Sequence, residues 1–330
     1  MRMTAIALTA ILAATSVDAR IRPVKKPSVP ASIEATLPGP VSEYGPGPKD
    51  FATGIHNCGQ GCADEAALVL DRLQPRWVRV GVANNVYGTV EEMRMDPMML
   101  ELQQRGIKVM YTINGTDAER VDPAVTMERL RKTMAAYPQV EYIQLLNEPV
   151  NMNDMDPVSY VRDIIKPGRA LIDAENTERA KSNLPPIKLV STGFYGLDRG
   201  VEQTRAALAA GMGRYIDILG VHLYAENSVD NAKRYRDMAS SLPIFVTEYG
   251  ENSFANHEQW YFEVGAQIEK AIGGPTFTDR RGVTHEQPLL WYVLAGDREF
   301  RLVDYWREED GTLKHKYTSP LGDKLEIRPR

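Results

Sequence analysis

Beyond residue 50 the chain alternates short apolar, β-branched runs with longer segments whose apolar residues recur every three or four positions. The short runs are "FATGIHN" (51–57), "RWVRVGV" (76–82), "IKVMYTI" (107–113), "EYIQLLN" (141–147), "IKLVSTG" (187–193), "DILGVHL" (217–223), "PIFVTE" (243–248) and "PLLWYVL" (288–294). Each predicts a strand. Between them, "DEAALVLDRLQ", "DPMMLELQQRG" and "NHEQWYFEVGAQIEKAI" carry the helical period. Asp64, Asp96 and Asn256 stand where helix N-caps are wanted, and Gly106 follows a helix as a C-terminal stop should.

Eight strands separated by helices imply parallel pairing through helical crossovers. An open doubly wound sheet and a closed barrel both satisfy that alternation. The count of eight favours an α/β fold of the (β/α)8 TIM-barrel type. So does the absence of a G-x-G-x-x-G turn after the first strand. In such a barrel the chemistry sits where strands meet their following loops. The residues found there are His56 and Asn57; Arg79, Asn84 and Asn85; Tyr111 and Asn114; Asn147 and Glu148; Phe194 and Tyr195; His222 and Tyr224; Glu248 and Tyr249; and Trp291 and Asp297. Packing alone would be content with valine and isoleucine at these places. Pro149 ends the fourth strand, which leaves Glu148 at the rim of a core, where a carboxylate needs a use or a partner.

Composition narrows the partners. The 330 residues are 43% hydrophobic and 25% charged, with a net charge of −5, ordinary values for a folded chain. No basic block stands out, which argues against a nucleic-acid partner. Residues 1–19, "MRMTAIALTAILAATSVDA", have Arg2, an apolar stretch and a small residue at a cleavage site, and read as a signal peptide. The expectation is a secreted or periplasmic protein with no membrane span after cleavage. Residues 20–50 are rich in Pro and Gly and read as a linker, which leaves 51–330 as the folded domain. Cys58 and Cys62 in "HNCGQGCADE" would close a tight disulfide loop after export; two free thiols, or a metal site with His56, are the alternatives.

Glu148 and Glu248 close strands four and seven, on opposing sides of a narrow barrel mouth. Paired carboxylates in one cleft are what glycosidic cleavage requires. With "NEP" after strand four and "TEYG" after strand seven, the sequence resembles clan A of the retaining glycoside hydrolases, with features similar to families 5 and 39. The resemblance covers residues from about 51 to 325. It implies Glu148 as acid/base and Glu248 as nucleophile. It also implies that Arg79 steadies Glu248, that Asn147 contacts the sugar 2-hydroxyl, that His222 and Tyr224 form the His-x-Tyr pattern of strand six, and that Trp291 supplies an aromatic floor. The tail "EEDGTLKHKYTSPLG" (308–322) is similar to a closing turn and last helix. Two departures stand out: "YTINGT" lacks the histidine common in family 5, and Leu146 stands where a tryptophan is frequent.

The implied activity is double displacement on a β-linked oligo- or polysaccharide, without a cofactor. The same two glutamates would serve a transglycosylase. A carbohydrate-binding barrel without turnover would keep the cleft, though the presence of both acids speaks against it. A metal-dependent hydrolase using His56 and His222 lacks any H-x-H or H-E-x-x-H spacing.

Overall fold

Eight parallel strands form the centre of the molecule: β1 (Ala52–Ile55), β2 (Trp77–Val82), β3 (Lys108–Ile113), β4 (Tyr142–Leu145), β5 (Lys188–Val190), β6 (Leu219–Tyr224), β7 (Ile244–Gly250) and β8 (Leu289–Trp291). They are hydrogen-bonded in the order β5-β4-β3-β2-β1-β8-β7-β6. The outer two meet at a parallel bridge between Val190 and Ile218, where Ser191 N–H donates to the Ile218 carbonyl at 3.0 Å. The sheet thus closes on itself, and the fold is a (β/α)8 barrel. The computed structural model describes residues 52–55, 72–82, 89–114, 121–152, 155–224, 226–251, 253–292, 302–310, 312–317 and 320–325. All lie in one unit, Pro40–Arg330. The expected signal peptide 1–19, the expected linker 20–50, Cys58, Cys62, His56, Asn57, Asp64, Asn84, Asn85 and Asp297 lie outside the described residues.

The bottom of the barrel is plugged by Ala52, Trp77, Met110, Tyr142, Val190, Ile218, Phe245 and Leu290, one residue from each strand or its start. Trp77, Tyr142 and Phe245 meet at ring separations of 4.8 to 5.6 Å, so this layer is filled and the barrel is no pore. Beneath it Glu286 accepts from Trp77 Nε1 at 2.9 Å and pairs with Arg76 and Lys108. The barrel interior is therefore closed at this end.

The helices α1 (Pro97–Gln104), α2 (Pro123–Ala136), α3 (Lys166–Lys181), α4 (Asp198–Ala209), α5 (Ser228–Met238) and α6 (Gly265–Ala271) pack around the outside. Asp96 caps α1 through the amides of Met98 and Met99, as expected. Gly106 then takes φ +68°, the left-handed stop that a glycine adopts without steric penalty. Asn256 differs from expectation: it precedes the helical turn His257–Gln259 but makes no side-chain capping bond. Both α3 and α6 are entered through a widened turn, Tyr160–Ile165 and Trp260–Val264. The tail forms an antiparallel pair, Val303–Arg307 with Leu313–Tyr317, before a last helix, α7 (Pro320–Leu325). Among the described residues no helix is long and apolar enough to cross a membrane.

Candidate active site

The interior face of the barrel changes character above the plug. Two positions on from four of the eight plug residues stand Arg79, Thr112, Gln144 and Thr192, where a uniformly apolar core would have Val or Leu. Gln144 Oε1 accepts from Arg79 Nε at 3.0 Å and from Thr112 Oγ1 at 3.2 Å. The Arg79 fork then reaches upward. One terminal nitrogen donates to Glu248 Oε1 and the other to Asn147 Oδ1, both at 2.6 Å. A single guanidinium thus ties strand two to the ends of strands four and seven.

Glu248 faces the interior because β7 carries one extra residue. On β6, Val221 and His222 are adjacent, yet they pair with Val246 and Glu248. On β8, Leu289 and Trp291 pair with Val246 and Tyr249, which again leaves one residue over on β7. Phe245 points inward in the plug, so strict alternation would turn Glu248 outward. The extra position at Thr247 reverses that parity and brings Glu248 level with His222. Glu248 is 4% exposed. Its Oε2 accepts from Tyr224 OH at 2.8 Å.

Glu148 arrives by a different device. After β4 the backbone takes left-handed conformations at Leu146 (φ +66°) and Glu148 (φ +43°), each costing on the order of 1–3 kcal/mol for a residue with a side chain. The result is that Asn147 and Glu148, consecutive in sequence, both contact the site. Glu148 Oε1 lies 2.6 Å from His222 Nδ1, a contact that requires one proton on that line. The same nitrogen is 3.4 Å from Glu248 Oε2. His222 is fully buried, and its ring is seated against Gly193, where an added Cβ would stand 2.1 Å from His222 Cδ2.

The surroundings of Glu248 favour its ionised form. Burial pushes the Glu248 carboxyl up, but the charges of His222 and Arg79 and the hydrogen bonds from Tyr224 and Arg79 outweigh it, and its pKa lies below the usual value of 4.5. Burial, followed by the Glu248 charge, holds the Tyr224 phenol well above its usual range; it remains a donor to Glu248. The ligand atoms of Glu148, His222 and Glu248 lie within 4.8 Å of one another, close enough to be tested as a cation site. Arg79 and Tyr224 already occupy the two oxygens of Glu248, so a cation would sit beside a guanidinium and compete with two donors. The donor set suits proton transfer and charge on carbon better than metal ligation.

Of the residues expected from sequence, Glu148, Glu248, Arg79, Asn147, His222 and Tyr224 come together. Trp291 does not. It pairs in register with Thr53 and Tyr249, on the outward face opposite Leu290. There it is fully buried against Tyr249, His257 and Tyr261. The strand-eight aromatic at the mouth is Tyr292. Its ring stands 5.9 Å from that of Tyr224, and it lines the cleft with Gly54, Arg79, Asn114, Asn147 and Glu248. Tyr111 also packs outward, stacked on Tyr137, and Phe194 is buried against Tyr160. Trp260 lies in the helical layer, 8% exposed, whereas Tyr195 is exposed at the end of β5. Sequence reading passed over Gln144, Thr192 and Tyr292. A polar residue inside the apolar run "YIQLL" was a signal for Gln144; "LLWY" offers no polar position that would reveal which aromatic faces in.

No protein-family model matches the chain, and no curated protein sequence matches it. Among solved structures, an endo-β1,6-glucanase superposes with a TM-score of 0.50 at 11% identity, covering 82% of this chain and 74% of its own. A glycoside hydrolase family 30 subfamily 8 xylanase from Clostridium acetobutylicum gives 0.47 at 15% identity, covering 78% and 67%. An exo-β-1,3-glucanase of family GH128 from Aureobasidium namibiae gives 0.44 at 14%, covering 80% and 93%. At such identities the likeness speaks to the barrel alone.

Proposed function

We propose that the chain is an exported, retaining glycoside hydrolase of the clan A kind, acting on a β-linked oligo- or polysaccharide by double displacement. The observation that carries this reading is the closeness of Glu148 and Glu248, one carboxylate oxygen of each lying within 4.8 Å of the other and both beside His222 Nδ1. Retention needs a gap of roughly 5–5.5 Å, whereas inversion needs roughly 6.5–9.5 Å to admit a water. The short gap favours the covalent route. That one structural neighbour is a glucanase is in keeping with a saccharide ligand.

In the first step a Glu248 oxygen bonds to the anomeric carbon as the glycosidic C–O bond breaks. Glu148 gives its proton to the departing oxygen. Arg79 and Tyr224 keep Glu248 ionised and aimed, since each holds one of its oxygens. In the second step a water loses a proton to Glu148 and its oxygen displaces Glu248 from the sugar, which restores both acids. Asn147, tethered to Arg79 at 2.6 Å, would contact the sugar 2-hydroxyl, and Tyr292, which lines the same cleft, is the aromatic available to the ring. His222 Nδ1 stands between the two acids and orients both.

The test is a screen of aryl glycosides and polysaccharides against wild type and Glu248→Ala. Wild type is expected to turn over one sugar series with retained anomeric configuration by NMR. Glu248→Ala is expected to bind that sugar and not cleave it. A wild type that binds oligosaccharide and never cleaves any contradicts the reading.

A further inference from the structure

The strained turn that carries Glu148 is held from the neighbouring strand. The β4–β5 ladder ends where Gln144 pairs with Val190. Beyond that level its place is taken by a short cycle of hydrogen bonds. The Glu148 N–H donates to Thr192 Oγ1 at 3.1 Å. The Thr192 hydroxyl donates to the Gly193 carbonyl at 2.8 Å, which spends its proton and leaves its lone pairs facing Glu148. The Thr192 N–H donates to Tyr160 OH at 2.8 Å, and that phenol donates back to the Leu145 carbonyl at 3.0 Å. Thr192 and Tyr160 are both fully buried, so water cannot substitute for any member. The cycle begins on the last residue of β4 and returns to the chain three residues on, bracketing both left-handed positions.

We propose that Thr192 is a positioning residue for the acid/base, fixing the Glu148 backbone so that its carboxyl meets the leaving-group oxygen, with Tyr160 as the strut behind it. This rests on Glu148 being the acid/base of a glycosidase. Proton transfer demands hydrogen-bond reach, and the side chain follows wherever φ of Glu148 goes. Thr192 touches no substrate. Its loss therefore acts on the step that needs the Glu148 proton and spares attack by Glu248.

Leaving groups separate those steps. A 2,4-dinitrophenolate departs without a proton, whereas methanol does not. The experiment measures kcat/KM for 2,4-dinitrophenyl and methyl β-glycosides of the sugar that wild type cleaves, for wild type, Thr192→Val, Thr192→Ser and Tyr160→Phe. A displacement of about 1 Å at a reacting group costs about 100-fold. Thr192→Val is thus expected to lose about 100-fold on the methyl glycoside and less than about threefold on the dinitrophenyl glycoside. Thr192→Ser restores the hydroxyl and most of the loss. Tyr160→Phe shows the same selective loss and carries the test should Thr192→Val not fold. Equal losses on both glycosides, or none, overturn the assignment while leaving the glycosidase reading intact. A wild type that cleaves no saccharide or aryl glycoside in the screen removes that reading and this one together.

Discussion

Arg79 and Glu248 form a buried ion pair, with side chains 10% and 5% exposed. Removing one partner from such a pair leaves an uncompensated charge, worth about 3–5 kcal/mol of lost stability. Arg79→Met should therefore lower the unfolding free energy read from a denaturant titration by that amount, and adding Glu248→Gln should return part of it. The pH dependence follows from the lowered pKa of Glu248. A carboxyl whose folded pKa lies below its unfolded value stabilises the fold above the unfolded value. That contribution is lost as pH falls through the folded one. Melting temperature against pH should drop more steeply for wild type than for Glu248→Gln below about 4.5; parallel curves would contradict the lowered pKa. At the same scale, Tyr292 stands at the cleft where the sequence suggested Trp291 would. Trp291→Phe should lower the melting temperature and leave KM unchanged, because Trp291 packs outside the barrel. Tyr292→Ala should raise KM on the sugar that wild type turns over.

Two strands carry the irregularities that build the site, and neither irregularity is written in the hydrophobic pattern. The apolar runs locate all eight strands, since a strand buried on both faces must be apolar throughout. That same uniformity hides parity. In "PLLWYVL" nothing distinguishes the face of Trp291 from that of Tyr292, and in "IFVTEYG" nothing marks Thr247 as the extra residue. The run "EYIQLLN" extends two residues beyond Leu145, where β4 ends, because left-handed backbone at Leu146 stops the ladder. Glu148 and Glu248 were legible all the same, since a carboxylate at the end of a buried run has few structural uses. His222 and Tyr224 were legible because they share one strand two positions apart, so one fixes the face of the other. Thr192 was not, since threonine is common in strands and its role exists only through a backbone amide on another strand. Gly193 offers a test of this packing. A methyl group there would press on the buried His222 ring, and overpacking of this kind costs about 1–3 kcal/mol. Gly193→Ala should lower both stability and turnover, whereas a silent change would mean the imidazole seat is loose.

At the scale of the molecule, large side chains plug one end of the barrel interior and a polar layer lines the other. Export is part of the proposal, and it predicts that the full-length chain produced in a secreting host yields a mature protein beginning at Arg20, with Cys58 and Cys62 joined. N-terminal sequencing and thiol titration check both. The claim beneath everything else is that the closed sheet brings an acid from strand four and an acid from strand seven to one anomeric carbon, with the second as nucleophile. The most direct measurement is trapping. A 2-deoxy-2-fluoro glycoside of the responding sugar, carrying an activated leaving group, is incubated with the enzyme, which is then digested and mapped by mass spectrometry. One sugar per chain is expected, esterified to Glu248 in the peptide containing "FVTEYG". A label on any other residue, or full turnover of the natural substrate with inversion and no trapped species, would contradict it.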